Sequence, residues 1–173
     1  MKELIIGGAR SGKSAFAERL AQESGSDIVY LATATADDDE MAERIRLHQQ
    51  RRSANWTLVE EPLYLAEALI THARENRLVL VDCLTLWITN LLLHEDAGLF
   101  QRERDALLET LPGLPGRQLF VSNEVGMGIV PMGELSRRFQ DEAGWLNQAM
   151  AERCDRVILT VAGLPHYLKG KST

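Results

Sequence analysis

Gly7-Gly8-Ala9-Arg10-Ser11-Gly12-Lys13-Ser14 matches the pattern G-x-x-x-x-G-K-[ST]. No other stretch restricts the fold as much, because this pattern works only between a buried strand and a helix. Both flanks comply. The apolar run Leu4-Ile5-Ile6 reads as the strand, and Ala15-Phe16-Ala17-Glu18-Arg19-Leu20-Ala21 has helical spacing. The glycines let successive backbone N–H groups converge on phosphate oxygens, with the positive end of the helix behind them. Lys13 is then expected to reach the β and γ phosphates, and Ser14 to hold magnesium.

The rest of the chain repeats the strand-and-helix alternation. Strands are expected at 28–33, 56–60, 78–82, 118–122 and 156–161, and helices at 63–72, 83–93, 100–111 and about 135–150. That pattern predicts an α/β fold with a mostly parallel sheet flanked by helices. In the last helix, Leu135, Phe139, Leu146 and Met150 share a face that reads as core, interrupted only mildly by Gly144. Gly163-Leu164-Pro165 reads as the start of a short tail. With no linker-like tract, 1–173 is expected to be one domain.

Ligands of open α/β sheets gather beyond the carboxyl ends of the strands. Three segments are placed there, and a fourth candidate follows the first of them in the chain. Ala32-Thr33-Ala34 is either a loop beside the phosphates or an ordinary strand-to-helix connection. Asp82 ends an apolar strand and is the natural magnesium partner of Ser14, the alternative being a mere strand terminator. Asn123-Glu124-Val125-Gly126-Met127-Gly128-Ile129-Val130-Pro131 combines two glycines, a carboxylate and apolar residues. It is either a mobile lid over an apolar substrate, with Asn123, Glu124, Gly126 and Gly128 as its candidate residues, or a plain connector.

The fourth segment is acidic at 37–40 and basic at 51–52, as suits a helix answering its own dipole. Within it, Arg44, His48 and Arg51 or Arg52 recur at helical spacing, an arrangement able to grip a triphosphate; on spacing alone, a solvated, self-stabilised helix is the more ordinary account of the charges.

Composition removes several classes. No apolar run approaches the roughly 20 residues that span a bilayer, so no membrane span is expected. The net charge of −6 argues against binding the nucleic-acid backbone and favours a small-molecule partner. Cys83 and Cys154 are too far apart for a C-x-x-C site and read as buried apolar residues. Met1-Lys2-Glu3 leads directly into the first strand, from which a cytoplasmic address is expected.

Taken together, the motifs resemble the family of bifunctional adenosylcobinamide kinase and adenosylcobinamide-phosphate guanylyltransferase. The likeness runs nearly end to end and is carried by 7–14, by Asp38-Asp39-Glu40-Met41-Ala42 leading into Arg44-Ile45 and His48, by Thr89-Asn90-Leu91-Leu92, by 123–131, and by Asn147-Gln148. The 123–131 loop is its distinctive part, since the glycine loop is shared by many unrelated proteins.

The resemblance implies a P-loop NTPase with a RecA-like sheet, and two reactions. ATP or GTP phosphorylates the hydroxyl on the aminopropanol arm of adenosylcobinamide, with Lys13, Ser14, magnesium and Asp82 serving the step. GTP then guanylylates a histidine, which falls on His48, and GMP passes to adenosylcobinamide phosphate. A neutral imidazole is required, and neighbouring arginines would disfavour its protonation.

The resemblance also implies that Ala32, Thr33, Ala34, Gln49, Gln50, Arg51, Arg52, Glu60 and Asp82 line the GTP site, without apportioning guanine and magnesium between Glu60 and Asp82. It further implies a homotrimer with sites at subunit junctions, giving Trp87 to Leu93 or the His48 helix a partner surface. The chain departs from the best-known members in Gln49-Gln50-Arg51-Arg52 and in having Asp rather than Glu at 82. Two other functions use the same glycine loop. A small-molecule kinase has no need of His48, and a regulatory GTPase calls for an Asn-Lys-x-Asp motif that the sequence lacks.

Overall fold

The computed structural model describes residues 1–34 and 55–171. The expected helix around His48 lies outside the described residues. Among the described residues, seven strands form one sheet. They are β1 (Lys2–Gly7), β2 (Asp27–Ala32), β3 (Thr57–Glu60), β4 (Arg77–Asp82), β5 (Arg117–Asn123), β6 (Arg156–Val161) and β7 (Leu164–Lys169). The helices are α1 (Lys13–Glu23), α2 (Leu65–His72), α3 (Leu84–Leu93), α4 (Leu99–Thr110) and α5 (Glu134–Arg153).

The strand order is β3-β2-β4-β5-β1-β6-β7, parallel throughout except for β7. Parallel strands carry helices on their faces, so the central ones have to be apolar on both sides. Alternate residues accordingly divide between two cores. Leu4, Val29, Leu31, Val79, Val81 and Phe120 pack with α2, α3, α4 and α5, whereas Ile5, Tyr30, Leu78, Leu80, Leu119 and Ile158 pack with α1. Each fully buried leucine or isoleucine here contributes on the order of 1.5–3 kcal/mol.

The register brings the carboxyl ends level. Gly7 pairs with Asn123, Asp82 with Val121, and Ala32 with both Asp82 and Glu60. At about 4.8 Å between strands, Asp82 lies two strands, roughly 10 Å, from the glycine loop that follows β1.

Three expectations need correction. The expected tail is strand β7, turned back on β6 through Ala162 and Gly163, both at positive φ (52° and 79°). Two such residues are what a tight hairpin matching the strand twist requires. Leu135 is half exposed rather than core. A 20-residue helix is about 30 Å long and a six-residue strand about 20 Å, so the first turns of α5 overhang the sheet; its buried residues Ala143, Leu146 and Met150 begin only at its tenth residue. Trp87, Ile88 and Leu91 are packed inside the fold and give a partner no surface; at the end of α3 only Leu93 is well exposed.

Candidate active site

The glycine loop is held from both sides of β1. Gly7 O accepts the Glu124 N–H at 3.0 Å, and Ser11 O accepts the Gly163 N–H at 2.8 Å. Gly7 is obligatory, since a Cβ there would lie 2.5 Å from both Thr160 O and Ser11 Oγ. Gly12 has φ 93°, and a Cβ on it would come within 3.0 Å of Gly163 Cα. Arg10 also sits at positive φ, 55°. For a residue with a Cβ this costs about 1–3 kcal/mol, strain that concentrates at functional loops.

Helix α1 opens directly from this loop with no side-chain cap and no acidic residue in its first turn. Its first N–H groups are therefore presented to an anion. Lys13 Nζ folds back to donate to Gly8 O at 3.2 Å. Burial pulls the Lys13 pKa below the ordinary lysine value, and the neighbouring Cys83 and Asp82 push it partly back. A half-buried ammonium with its charge incompletely balanced is prepared for a phosphate.

Asp82 is fixed by Tyr30, whose hydroxyl donates to Asp82 Oδ2 at 3.0 Å, and Trp56 stacks on the Tyr30 ring at 6.3 Å. Beside it, the Thr33 hydroxyl donates to Cys83 O at 2.7 Å and accepts the Cys83 N–H at 2.9 Å. Thr33 O in turn accepts from Asn90 Nδ2 at 2.8 Å. Fully buried, Thr33 ties β2 to β4.

The Cys83 thiol lies 3.1 Å from Thr85 Oγ1, and Asn123 Nδ2 donates to Thr85 Oγ1 at 2.9 Å. Burial pushes the Cys83 thiol up to about 11 and Cys154 up to about 12, so neither is a nucleophile at neutral pH.

Ser14 and Asp82 supply a hydroxyl and a carboxylate, hard oxygen donors of the kind magnesium takes in ones and twos while phosphate and water complete its shell. Among the described residues no group of three His, Cys, Asp or Glu could cage a metal. The donor set therefore fits an ion that arrives with a nucleotide.

The 123–131 loop begins at the same place. Asn147 Nδ2 donates to Asn123 O at 3.3 Å, and Glu124 Oε1 accepts the Gly126 N–H at 2.6 Å. From Gly126 to Val130 the loop is exposed, with Met127 and Ile129 open to solvent, as is Met132 just after it.

The structure thus brings together 7–14, Ala32, Thr33, Asp82, Asn123 and Glu124. Glu60 joins the same edge at the end of β3, exposed. His48, Gln49, Gln50, Arg51 and Arg52 lie outside the described residues. Sequence reasoning missed Tyr30, Thr85 and Asn90. For Tyr30 a signal existed, since it stands two residues from the end of β2 and therefore on the face that Ala32 and Asp82 share.

A family model described as cobinamide kinase / cobinamide phosphate guanyltransferase matches residues 3–168. The chain is 61% identical, over 99% of both chains, to the bifunctional adenosylcobalamin biosynthesis protein CobP of Pseudomonas aeruginosa. To the bifunctional adenosylcobalamin biosynthesis protein CobU of Escherichia coli it is 40% identical over 98% of this chain and 100% of the other. Among solved structures it resembles the RadB recombinase, with a TM-score of 0.51 and 15% identity, covering 91% of this chain and 73% of that one. It also resembles the type III secretion ATPase EscN, with a TM-score of 0.53 and 17% identity, covering 92% and 41%. These two likenesses concern the fold, that of a P-loop NTPase.

Proposed function

The chain belongs to the cobinamide kinase / cobinamide phosphate guanyltransferase family, and we propose that it carries out both reactions in that name on one domain, for adenosylcobalamin biosynthesis. In the first, the hydroxyl of the adenosylcobinamide aminopropanol arm attacks the γ-phosphorus of ATP or GTP. The P–O bond to the β-phosphate breaks, the nucleoside diphosphate leaves, and the hydroxyl proton goes to solvent. Such a transfer relies on positioning and charge neutralisation. Backbone N–H groups of 7–14 and the start of α1 cradle the phosphates, and Lys13 neutralises charge on them. Ser14 and Asp82 would hold magnesium, which supplies Lewis-acid neutralisation of the phosphates when bound.

In the second reaction a neutral His48 nitrogen attacks the α-phosphorus of GTP and pyrophosphate leaves. The phosphate of adenosylcobinamide phosphate then takes GMP from the histidine, giving adenosylcobinamide-GDP and freeing the imidazole. Splitting the transfer in two is the advantage of the covalent intermediate. Arg51, Arg52, Gln49 and Gln50 flank this nucleotide, with Ala32, Thr33, Ala34 and Glu60 beside it. Loop 123–131 closes over the acceptor. The working form is a cytoplasmic homotrimer.

The identity of 61% across essentially the whole chain to a bifunctional relative is the observation that carries this reading. The test is incubation with magnesium and GTP labelled at the α-phosphate. An acid-labile protein adduct is expected, abolished in His48→Ala while phosphorylation of cobinamide persists at least in part. No adduct in the wild type leaves a small-molecule kinase, and no phosphorylation either leaves a GTPase. An adduct surviving in His48→Ala removes His48 as the nucleophile.

A further inference from the structure

Between α5 and the 123–131 loop a cleft of about 330 Å³ opens. That volume lies at the small end of the range for small-molecule sites. Gly126 and Val130 form the loop wall, and Gln140, Asp141, Gly144, Trp145 and Gln148 form the helix wall. Gln140, Gly144 and Gln148 recur four apart, as do Asp141 and Trp145 in the neighbouring row, so these residues share one face. Arg137 secures the corner, its Nη1 donating to Pro131 O at 3.2 Å and Met132 O at 2.5 Å.

Gly144 is the informative residue. It occupies the interior of a 20-residue helix, where glycine is less stable than alanine by about 0.5–1 kcal/mol. Its φ is not positive, and nothing lies within 4 Å of where its Cβ would stand. Neither backbone conformation nor packing among the described residues calls for a glycine. It leaves a dent in the cleft floor, bordered by the exposed indole of Trp145 and by primary amides.

We infer that this cleft binds the cobinamide acceptor by one edge of its macrocycle, with Trp145 against the flat ring, Gly144 giving clearance, and Gln140 and Gln148 pairing with the primary amides on the ring periphery. The inference rests on the proposed function for the identity of the acceptor. Primary amides pair with one another through matched donors and acceptors, and an indole face suits a flat apolar ring. The macrocycle with its arms exceeds the cleft volume, so an edge is what fits.

Reach is also satisfied. Glu124, hydrogen-bonded to Gly7, is two residues from Gly126 on the cleft wall, at most about 7 Å of chain. A ring seated there lies within reach of the loop that would hold the phosphates.

The experiment measures cobinamide phosphorylation kinetics, and cobinamide binding by quenching of tryptophan fluorescence without nucleotide, in the wild type, Gly144→Leu, Gln148→Ala and Trp145→Phe. Gly144→Leu is expected to fold, because its side chain enters open space, and to raise the KM for cobinamide about tenfold or more with the nucleotide KM unchanged. Gln148→Ala is expected to raise it by about threefold to tenfold. Trp145→Phe is expected to lose most of the quenching. Wild-type phosphorylation with an unchanged cobinamide KM in Gly144→Leu and Gln148→Ala overturns the assignment and leaves the proposed function standing. A raised KM accompanied by a lower mass in sedimentation assigns the face to contact between copies and also overturns it. A wild type that neither binds nor phosphorylates cobinamide removes the function and the inference together.

Discussion

Tyr30 holds Asp82 across two neighbouring strands, its hydroxyl donating to Oδ2 at 3.0 Å. One oxygen of the proposed magnesium carboxylate is thereby oriented before any ion arrives. Tyr30→Phe removes this donor and keeps the ring that stacks on Trp56. The expected result is a threefold to tenfold higher magnesium concentration for half-maximal phosphorylation, about 0.5–1.5 kcal/mol, with little change in melting temperature. Asp82→Asn is expected to lose far more. A magnesium titration of both variants checks this.

Lys13 gives the nucleotide affinity a pH dependence. Burial holds its pKa below that of an ordinary lysine, and a bound triphosphate, being anionic, raises it again. Between the two values binding takes up a proton, so affinity falls as pH rises, by at most about tenfold per pH unit. For folding the sign is opposite. The unfolded chain holds this proton more tightly, so the Lys13 contribution to stability rises with pH from the folded pKa up to the ordinary value of 10.5. Calorimetric titration with ATP across the alkaline range is expected to show the loss, and Lys13→Arg, charged throughout, to abolish its pH dependence.

The first two glycines of the loop have different tasks. Gly7→Ala drives a methyl to 2.5 Å from Thr160 O, a backbone atom that cannot yield cheaply. It is expected to lower the melting temperature and to abolish nucleotide binding. A Cβ at Gly8 meets nothing within 4 Å. Gly8→Ala is therefore expected to leave stability within about 0.5 kcal/mol of wild type while weakening nucleotide binding. Thermal melts with and without ATP separate the two.

At the opposite end of β1, Glu3 is fully buried between Arg117 Nε at 2.6 Å and Arg156 Nη1 at 3.3 Å. Removing one member of such a buried group costs about 3–5 kcal/mol, because charge is left uncompensated. Glu3→Ala is expected to unfold at correspondingly lower denaturant concentration, with the kinase kcat of the folded fraction unchanged. A drop in kcat would show that the two ends of the sheet are coupled.

The glycine loop, the central strands and Asp82 could be read from sequence because each is a local pattern whose meaning depends on immediate neighbours. Strand β7 could not. Its turn residues Ala162-Gly163 are weaker hairpin signals than Asn-Gly, and Pro165 discourages a strand assignment except at an edge, which is where β7 lies. The face of α5 was misjudged at Leu135 for a geometric reason: helical periodicity tells which side is apolar, but not how far the sheet beneath extends. Likewise the Thr33 hydroxyl spans two strands whose adjacency depends on the strand order, and no spacing in the chain announces it. His48 and its flanking residues rest on the family resemblance.

The hydrogen bond from Gly163 to Ser11 joins residues 152 positions apart in the sequence. Ser11 is synthesised long before the residue that supports it. A nascent chain stalled short of the β6–β7 hairpin therefore carries the whole nucleotide motif without that brace.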